Sequence, residues 1–224
     1  MAKLIVIPTP IGNLEDITLR AIRILKEVDF VLCEDTRTTG NLLRHLDIKK
    51  SLVAYHLNNE HKGLERFMER IENAEIVGLT SDAGTPGISD PGFLIIRECI
   101  KRGIEVECLP GPTALIPALV ASGLPCDKFL FYGFLPHKKG RQTAFKELSQ
   151  MEYTIAFYES PHRLVKTLEQ AMEFFGPERR GCVVREISKI YETYQRDTLE
   201  NLLKFYQTQT IKGEIVLVLE GVNN

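Results

Sequence analysis

The feature that most constrains the fold is an alternation of short apolar runs with helical patterns through the first half of the chain. Lys3–Pro8 reads KLIVIP and is stopped by proline, after which Ile17–Val28 sets Ile17, Ala21, Ile24, Leu25 and Val28 on one helical face. The unit recurs as Phe30–Glu34 with Thr38–Leu46, Leu52–Tyr55 with Glu60–Asn73, and Glu75–Thr80 with Phe93–Arg102, before a last run at Ile104–Leu109. Strands joined by helical crossovers predict a largely parallel five-stranded sheet. Such strands are covered on both faces and so read as continuous Val, Ile and Leu.

After Leu124–Asp127 the alternation restarts. Strands are predicted at Phe129–Tyr132, Thr154–Tyr158, Gly181–Arg185 and Glu214–Glu220, with helices at Arg141–Gln150, Arg163–Phe175 and Thr198–Gln207. A chain of 224 residues is long for one compact domain. The fold class is therefore read as two α/β lobes: an N-terminal domain over residues 1–112 and a C-terminal domain with a mixed sheet over 127–224, with a ligand cleft between them. Hydrophobic residues at 44% and charged residues at 26% describe a real core under a soluble surface, which excludes disordered and fibrous classes. Neither an apolar run of about 18 residues nor a secretory pattern is present, so a cytoplasmic protein without a membrane partner is expected. The five cysteines are widely spaced, with no zinc-ligand pattern, and no metal is expected. A net charge of −2 confines any nucleic-acid contact to a local basic surface.

Three loops at predicted strand ends carry unusual chemistry. Ser81–Gly92 reads SDAGTPGISDPG, with three glycines that let a ligand approach the backbone and two prolines that stiffen the turn. Pro8–Asn13 (PTPIGN) and Leu109–Ala114 (LPGPTA) lie at the same edge of the sheet, outside the carboxyl ends of the strands, where open α/β sheets bind ligands. Neither the dinucleotide fingerprint nor the phosphate-loop pattern occurs, so a nucleotide-like ligand without a pyrophosphate fits best. Glu34–Arg37 (EDTR) closes the second strand. In the C-terminal lobe Tyr158–Arg163 (YESPHR) joins a strand to a helix, and His137–Arg141 (HKKGR) is a compact basic patch beside Phe134.

Together with REISK and the closing KGEIVLVLEG, these segments resemble the tetrapyrrole methylase superfamily, in order from residue 4 to residue 221. SDAGTP and YES-x-HR are similar to the branch that 2′-O-methylates a cytidine of small-subunit ribosomal RNA. The resemblance implies S-adenosylmethionine as cofactor, ribosomal RNA or the assembled small subunit as substrate, and a homodimer. By position it places Pro10, Ala83, Gly84, Thr85 and Ile88 against the cofactor, Thr113 and Ala114 beside its ribose or amino-acid end, and Tyr158 and Glu159 on the opposite wall. Longer members of the branch carry a further C-terminal helical segment, whereas the sequence here ends at Asn224.

Methyl transfer from a sulfonium is an in-line displacement in which the attacking oxygen must be aligned and its proton accepted. Glu159 and His162 are the expected catalytic residues, with Asp82 and Glu186 as further candidates. Two other readings fit the cleft: methylation of a tetrapyrrole or other small molecule, and a non-catalytic protein that binds an adenosine compound.

Overall fold

The computed structural model describes residues 2–222. The chain divides into two compact units, Met1–Thr113 and Ala114–Asn224.

The first unit contains β1 (Lys3–Val6), α1 (Leu19–Glu27), β2 (Phe30–Cys33), α2 (Thr36–His45), β3 (Ser51–Ala54), α3 (Glu60–Glu72), β4 (Ile76–Thr80), α4 (Phe93–Lys101) and β5 (Glu105–Cys108). Its sheet has the order β3-β2-β4-β1-β5, and every pair in it is parallel. Alternate residues of each strand face opposite sides. Leu4, Val6, Leu32 and Leu79 pack with Phe67 and Ile71 of α3 and Ile95 of α4. Ile5, Ile7, Val31 and Cys33 pack with Ala21 and Leu25 of α1 and Leu43 of α2 on the other face. Each fully buried side chain of this kind contributes roughly 1.5–3 kcal/mol, which explains the unbroken apolar strands.

That division of helices fixes where a ligand can bind. Helices α1 and α2 cover one face, α3 and α4 the other, and β4 lies between β2 and β1. The chain therefore leaves β4 toward the face opposite to the one it takes from both neighbours, which opens a crevice beyond their carboxyl ends.

The second unit contains α5 (Leu115–Ser122), β6 (Phe129–Phe134), α6 (Arg141–Leu148), β7 (Thr154–Glu159), α7 (Leu164–Phe175), β8 (Arg180–Arg185), β9 (Thr193–Thr198), α8 (Leu199–Gln207) and β10 (Ile215–Leu219). Its sheet runs β6-β7-β10-β8-β9 and is mixed: β6 is parallel to β7, and the remaining pairs are antiparallel. Ile155, Phe157, Val183 and Leu217 face a core closed by Phe145 of α6, Leu168 of α7 and Leu202 of α8. Helix α5 packs across β8, β9 and β10.

Two elements differ from the sequence expectation. Leu115–Ser122, read as part of a boundary, is α5; its residues LIPALVAS are apolar all round, so no amphipathic stripe marks them, and Pro117 sits in the first turn, where a missing N–H costs nothing. The polar sequence TYQRDT forms β9, an edge strand paired with β8 over its whole length. Polar edges lack the apolar alternation that reveals a strand. Arg196 ties β9 back to α5, its Nε donating to the Ala121 carbonyl at 2.8 Å.

Candidate functional site

The loops Pro8–Asn13 and Ser81–Gly92 are joined by their backbones. The Thr9 N–H donates to the Gly84 carbonyl and the Gly84 N–H to the Thr9 carbonyl, each at 2.9 Å. Thr9, 2% exposed, also donates through Oγ1 to the Ser81 carbonyl at 3.1 Å. Gly84 holds φ +77, a left-handed conformation that side-chain-bearing residues adopt at a cost. A Cβ there would lie 3.5 Å from Ile11 Cγ2 and 3.9 Å from the Pro112 carbonyl oxygen, so the three loops meet around this residue. The Thr85 hydroxyl donates to that same carbonyl at 3.5 Å. Ala83 and Ile88 are exposed, Pro10 and Thr85 half-buried. Thr113 ends the first unit, and Ala114 opens the second as the residue before α5.

Beside this junction lies a cavity of about 260 Å³. It is lined by Thr9, Pro10 and Gly12 of the first loop with Leu14 just after it, by Ser81 and Asp82 after β4, and by Thr38, Asn41, Leu42 and His45 of α2. The α2 residues follow helical spacing, so one face of the helix forms a wall. Asp35 caps that helix, accepting from the Arg37 N–H at 2.8 Å, and pairs with the Arg37 side chain. The Asp35 N–H donates to Asp82 Oδ1 at 3.2 Å. Three carboxylates thus gather where β2 and β4 end. Partial burial, then repulsion from Asp35, raises the Asp82 pKa, and burial, with Asp82 nearby, raises that of Glu34. Asp35 is instead held down at about 2 by its bonds to Arg37.

In the second unit the turn after β7 is built around Glu159, which is 2% exposed. Its Oε1 accepts from the Ser160 N–H at 2.7 Å and pairs with the Arg163 guanidinium at 2.7 Å; its Oε2 accepts from the Thr167 hydroxyl at 2.6 Å and lies 3.9 Å from the Arg141 guanidinium. Both oxygens are therefore committed to the protein. Tyr158 is half-buried and His162 exposed on the same turn. Glu186, at φ +57, is locked in the β8–β9 loop; partial desolvation opposes its ionisation, but Lys189 and the Glu214 N–H hold its pKa below the ordinary range.

The basic patch is divided. His137, Lys138 and Lys139 are exposed beside Phe134, itself 53% exposed, whereas Arg141 is buried and donates to Gln170, Thr167 and the Pro136 carbonyl. Arg141 is thus a structural residue, contrary to the reading of HKKGR as one surface. Sequence reasoning missed Thr38, Asn41 and His45; helical spacing projected from the EDTR motif was the available signal.

An open parallel sheet with ligand loops at its switch point, followed by a mixed-sheet α/β unit, defines a two-unit α/β protein built to bind a small organic group. Comparison with known proteins gives the class a name. The model of the Tetrapyrrole (Corrin/Porphyrin) Methylases matches residues 3–203, and the chain belongs to this family. Its relatives include the ribosomal RNA small subunit methyltransferase I of Thermotoga maritima, 42% identical over 99% of both chains. That of Halalkalibacterium halodurans is 46% identical over 97% of this chain and 75% of its own length. Among solved structures, a diphthine synthase aligns with TM-score 0.74 at 15% identity, covering 98% of this chain and 90% of its own. The uroporphyrin-III C-methyltransferase of Thermus thermophilus complexed with S-adenosyl homocysteine aligns at 0.67 and 19%, covering 98% and 97%. At such identities the likeness is one of fold. Among the described residues no helix is long and apolar enough to cross a membrane, and no group of three or more His, Cys, Asp or Glu could hold a metal ion.

Proposed function

We propose that the chain is an S-adenosylmethionine-dependent methyltransferase of small-subunit ribosomal RNA, acting in the cytoplasm on the 2′-oxygen of a cytidine. The observation that carries this reading is relatedness over the full length: 42% identity across 99% of both chains to a protein named a ribosomal RNA small subunit methyltransferase; the cytidine 2′-oxygen follows the family resemblance of the motifs. The site fits the cofactor. Gly84, at φ +77 and without a Cβ, lets the Pro8 and Ser81 loops pair through their backbones, and the exposed Ala83 and Ile88 beside it leave surface for a ligand. Pro10, Ala83, Gly84, Thr85, Ile88 and Thr113 of the first unit would hold it, and the family resemblance assigns Ala114 and Tyr158 to the cofactor as well.

When bound, the cofactor supplies a methyl group on a sulfonium, which an oxygen displaces in line. The protein must orient the ribose hydroxyl and accept its proton. Glu159 holds the turn that carries His162 and Tyr158 and acts as a positioning residue. His162, exposed on that turn, and Asp82, with its raised pKa, are the proton acceptors the geometry leaves open. Exposed His137, Lys138 and Lys139, with Phe134 beside them, suit a phosphate backbone and an unstacked base. A homodimer, as the family resemblance implies, is checked by sedimentation velocity.

The test is to incubate the protein and labelled S-adenosylmethionine with small ribosomal subunits from a strain lacking the activity, then map the label. Label on one cytidine 2′-oxygen is expected. Label only in a porphyrinoid, or cofactor binding without transfer, would overturn the reading.

A further inference from the structure

We propose that the cavity between the first loop, the end of β4 and helix α2 is the pocket for the methyl-accepting ribonucleoside, everted from its RNA strand and contacted by Asn41 and His45. This inference rests on the function proposed above and assigns that function's substrate site.

Position is the first argument. The cavity shares Thr9 and Pro10 with the loop that pairs to Gly84, yet none of Ala83, Gly84, Thr85 or Ile88 lines it. It is therefore a compartment that touches only the start of the glycine loop, at Ser81 and Asp82, and adjoins the cofactor loops through Pro10. An acceptor must lie beside the donor, and holding its base in a pocket, as enzymes acting on bases do, would fix the ribose hydroxyl in line with the methyl group.

Size is the second. About 260 Å³ is below the roughly 300–1,000 Å³ of sites that enclose drug-sized ligands. One nucleoside is on this scale; a tetrapyrrole macrocycle is too large.

Chemistry is the third. Pro10, Leu14 and Leu42 give apolar surface for a flat ring, while the Asn41 amide NH2, whose oxygen accepts from Arg44 at 2.9 Å, and the His45 imidazole give polar groups for its edge. No Lys or Arg lines the cavity, and Asp82 does. A phosphate, the carboxylate of an amino-acid ligand, or a polycarboxylate macrocycle would meet repulsion there, whereas a neutral nucleoside would not. Its phosphates must remain outside, on cations elsewhere on the protein.

Two variants test the pocket without entering the core, because Thr38, Asn41 and His45 are exposed on the helix surface. Asn41→Ala/His45→Ala removes the edge contacts, and Thr38→Trp fills the space; circular dichroism confirms that each is folded. Each is assayed for single-turnover methylation of unmodified small subunits and, by calorimetry, for S-adenosylmethionine affinity. The expected result for the double variant is a fall of roughly tenfold or more in kcat/KM, the scale of one or two lost hydrogen bonds. Thr38→Trp should fall at least as far, and cofactor affinity should stay within twofold in both. Unchanged kcat/KM in both variants would overturn the proposal. So would cofactor affinity falling in step with rate, which would assign the cavity to the methyl donor. If the wild-type protein methylates no small subunit, the proposed function itself fails, and that control separates the two failures.

Discussion

Replacing Glu159 by Gln keeps the side chain's shape and removes its charge, so it separates a structural carboxylate from a catalytic one. Glu159 is 2% exposed, Arg163 pairs with one of its oxygens at 2.7 Å, and Arg141 stands 3.9 Å from the other. The variant leaves two guanidinium groups facing a neutral amide inside the second unit. Breaking a buried ion pair from one side costs about 3–5 kcal/mol, and because Gln retains one acceptor oxygen the lower end, about 3 kcal/mol, is expected. At about 2–4 °C per kcal/mol for a protein of this size, the midpoint of thermal unfolding should drop by roughly 6–12 °C. Far-ultraviolet circular dichroism suits the measurement, since the chain has no tryptophan. At a temperature where the variant is folded, single-turnover methyl transfer should stay within a few-fold of wild type. A variant with an unchanged midpoint whose transfer falls a hundredfold or more would refute the reasoning and make Glu159 the proton acceptor.

Gly84→Ala should cost about 1–2 kcal/mol, because φ +77 is unfavourable for any residue with a Cβ, although the nearest atoms at 3.5 and 3.9 Å leave room for a methyl. Calorimetry should show weakened S-adenosylmethionine binding in the folded variant, and unaltered affinity would remove the loop from the cofactor site. Lys138→Ala/Lys139→Ala should lower the logarithmic salt slope of RNA binding by about 1.4–1.8, two contacts at about 0.7–0.9 each. Arg141→Ala, one helical turn away, should instead lower the unfolding midpoint. Filter binding across a salt series, with melting curves, distinguishes the two. For Asp82, whose folded pKa is raised, the folded protein binds the proton more tightly than the unfolded chain, so stability falls as pH rises from the unfolded pKa through the folded one. Asp82→Asn should therefore flatten the decline in melting temperature across the mildly acidic range, and parallel curves for variant and wild type would refute the assignment.

Much of this architecture was legible because burial dictates sequence. Strands such as KLIV and FVLC, covered on two faces, have no choice but to be apolar throughout, and the glycine and proline loops advertise their own geometry. What stayed hidden obeys other rules. Helix α5 is apolar around its circumference, and β9 is an edge strand with polar side chains, so neither carries the period of its own structure. Arg141 reads as one cation in the run HKKGR, yet the start of α6 turns it inward to Thr167 and Gln170 while its neighbours remain outside. Glu159 follows an apolar strand and invites a catalytic reading; only its partners on α7, eight residues on, reveal a different use.

The carboxylates at the end of β7 and those at the ends of β2 and β4 are held in opposite ways, and the contrast bears on function. Around Glu159 two arginines and a threonine hydroxyl compensate one charge, so the turn is rigid and its carboxylate has nothing left to offer a substrate. Around Asp82, Arg37 is 87% exposed and paired with Asp35, while Glu34 has His56 as its nearby cation and Asp82 accepts from the Asp35 N–H. The pKa values of Asp82 and Glu34 are raised, first by partial burial and then by the neighbouring carboxylates. Carboxylates with raised pKa values beside a cavity are common at sites whose chemistry needs a poised proton acceptor. In the function proposed above, Asp82 at the end of β4, which also lines the cavity, is therefore the carboxylate to test as that acceptor.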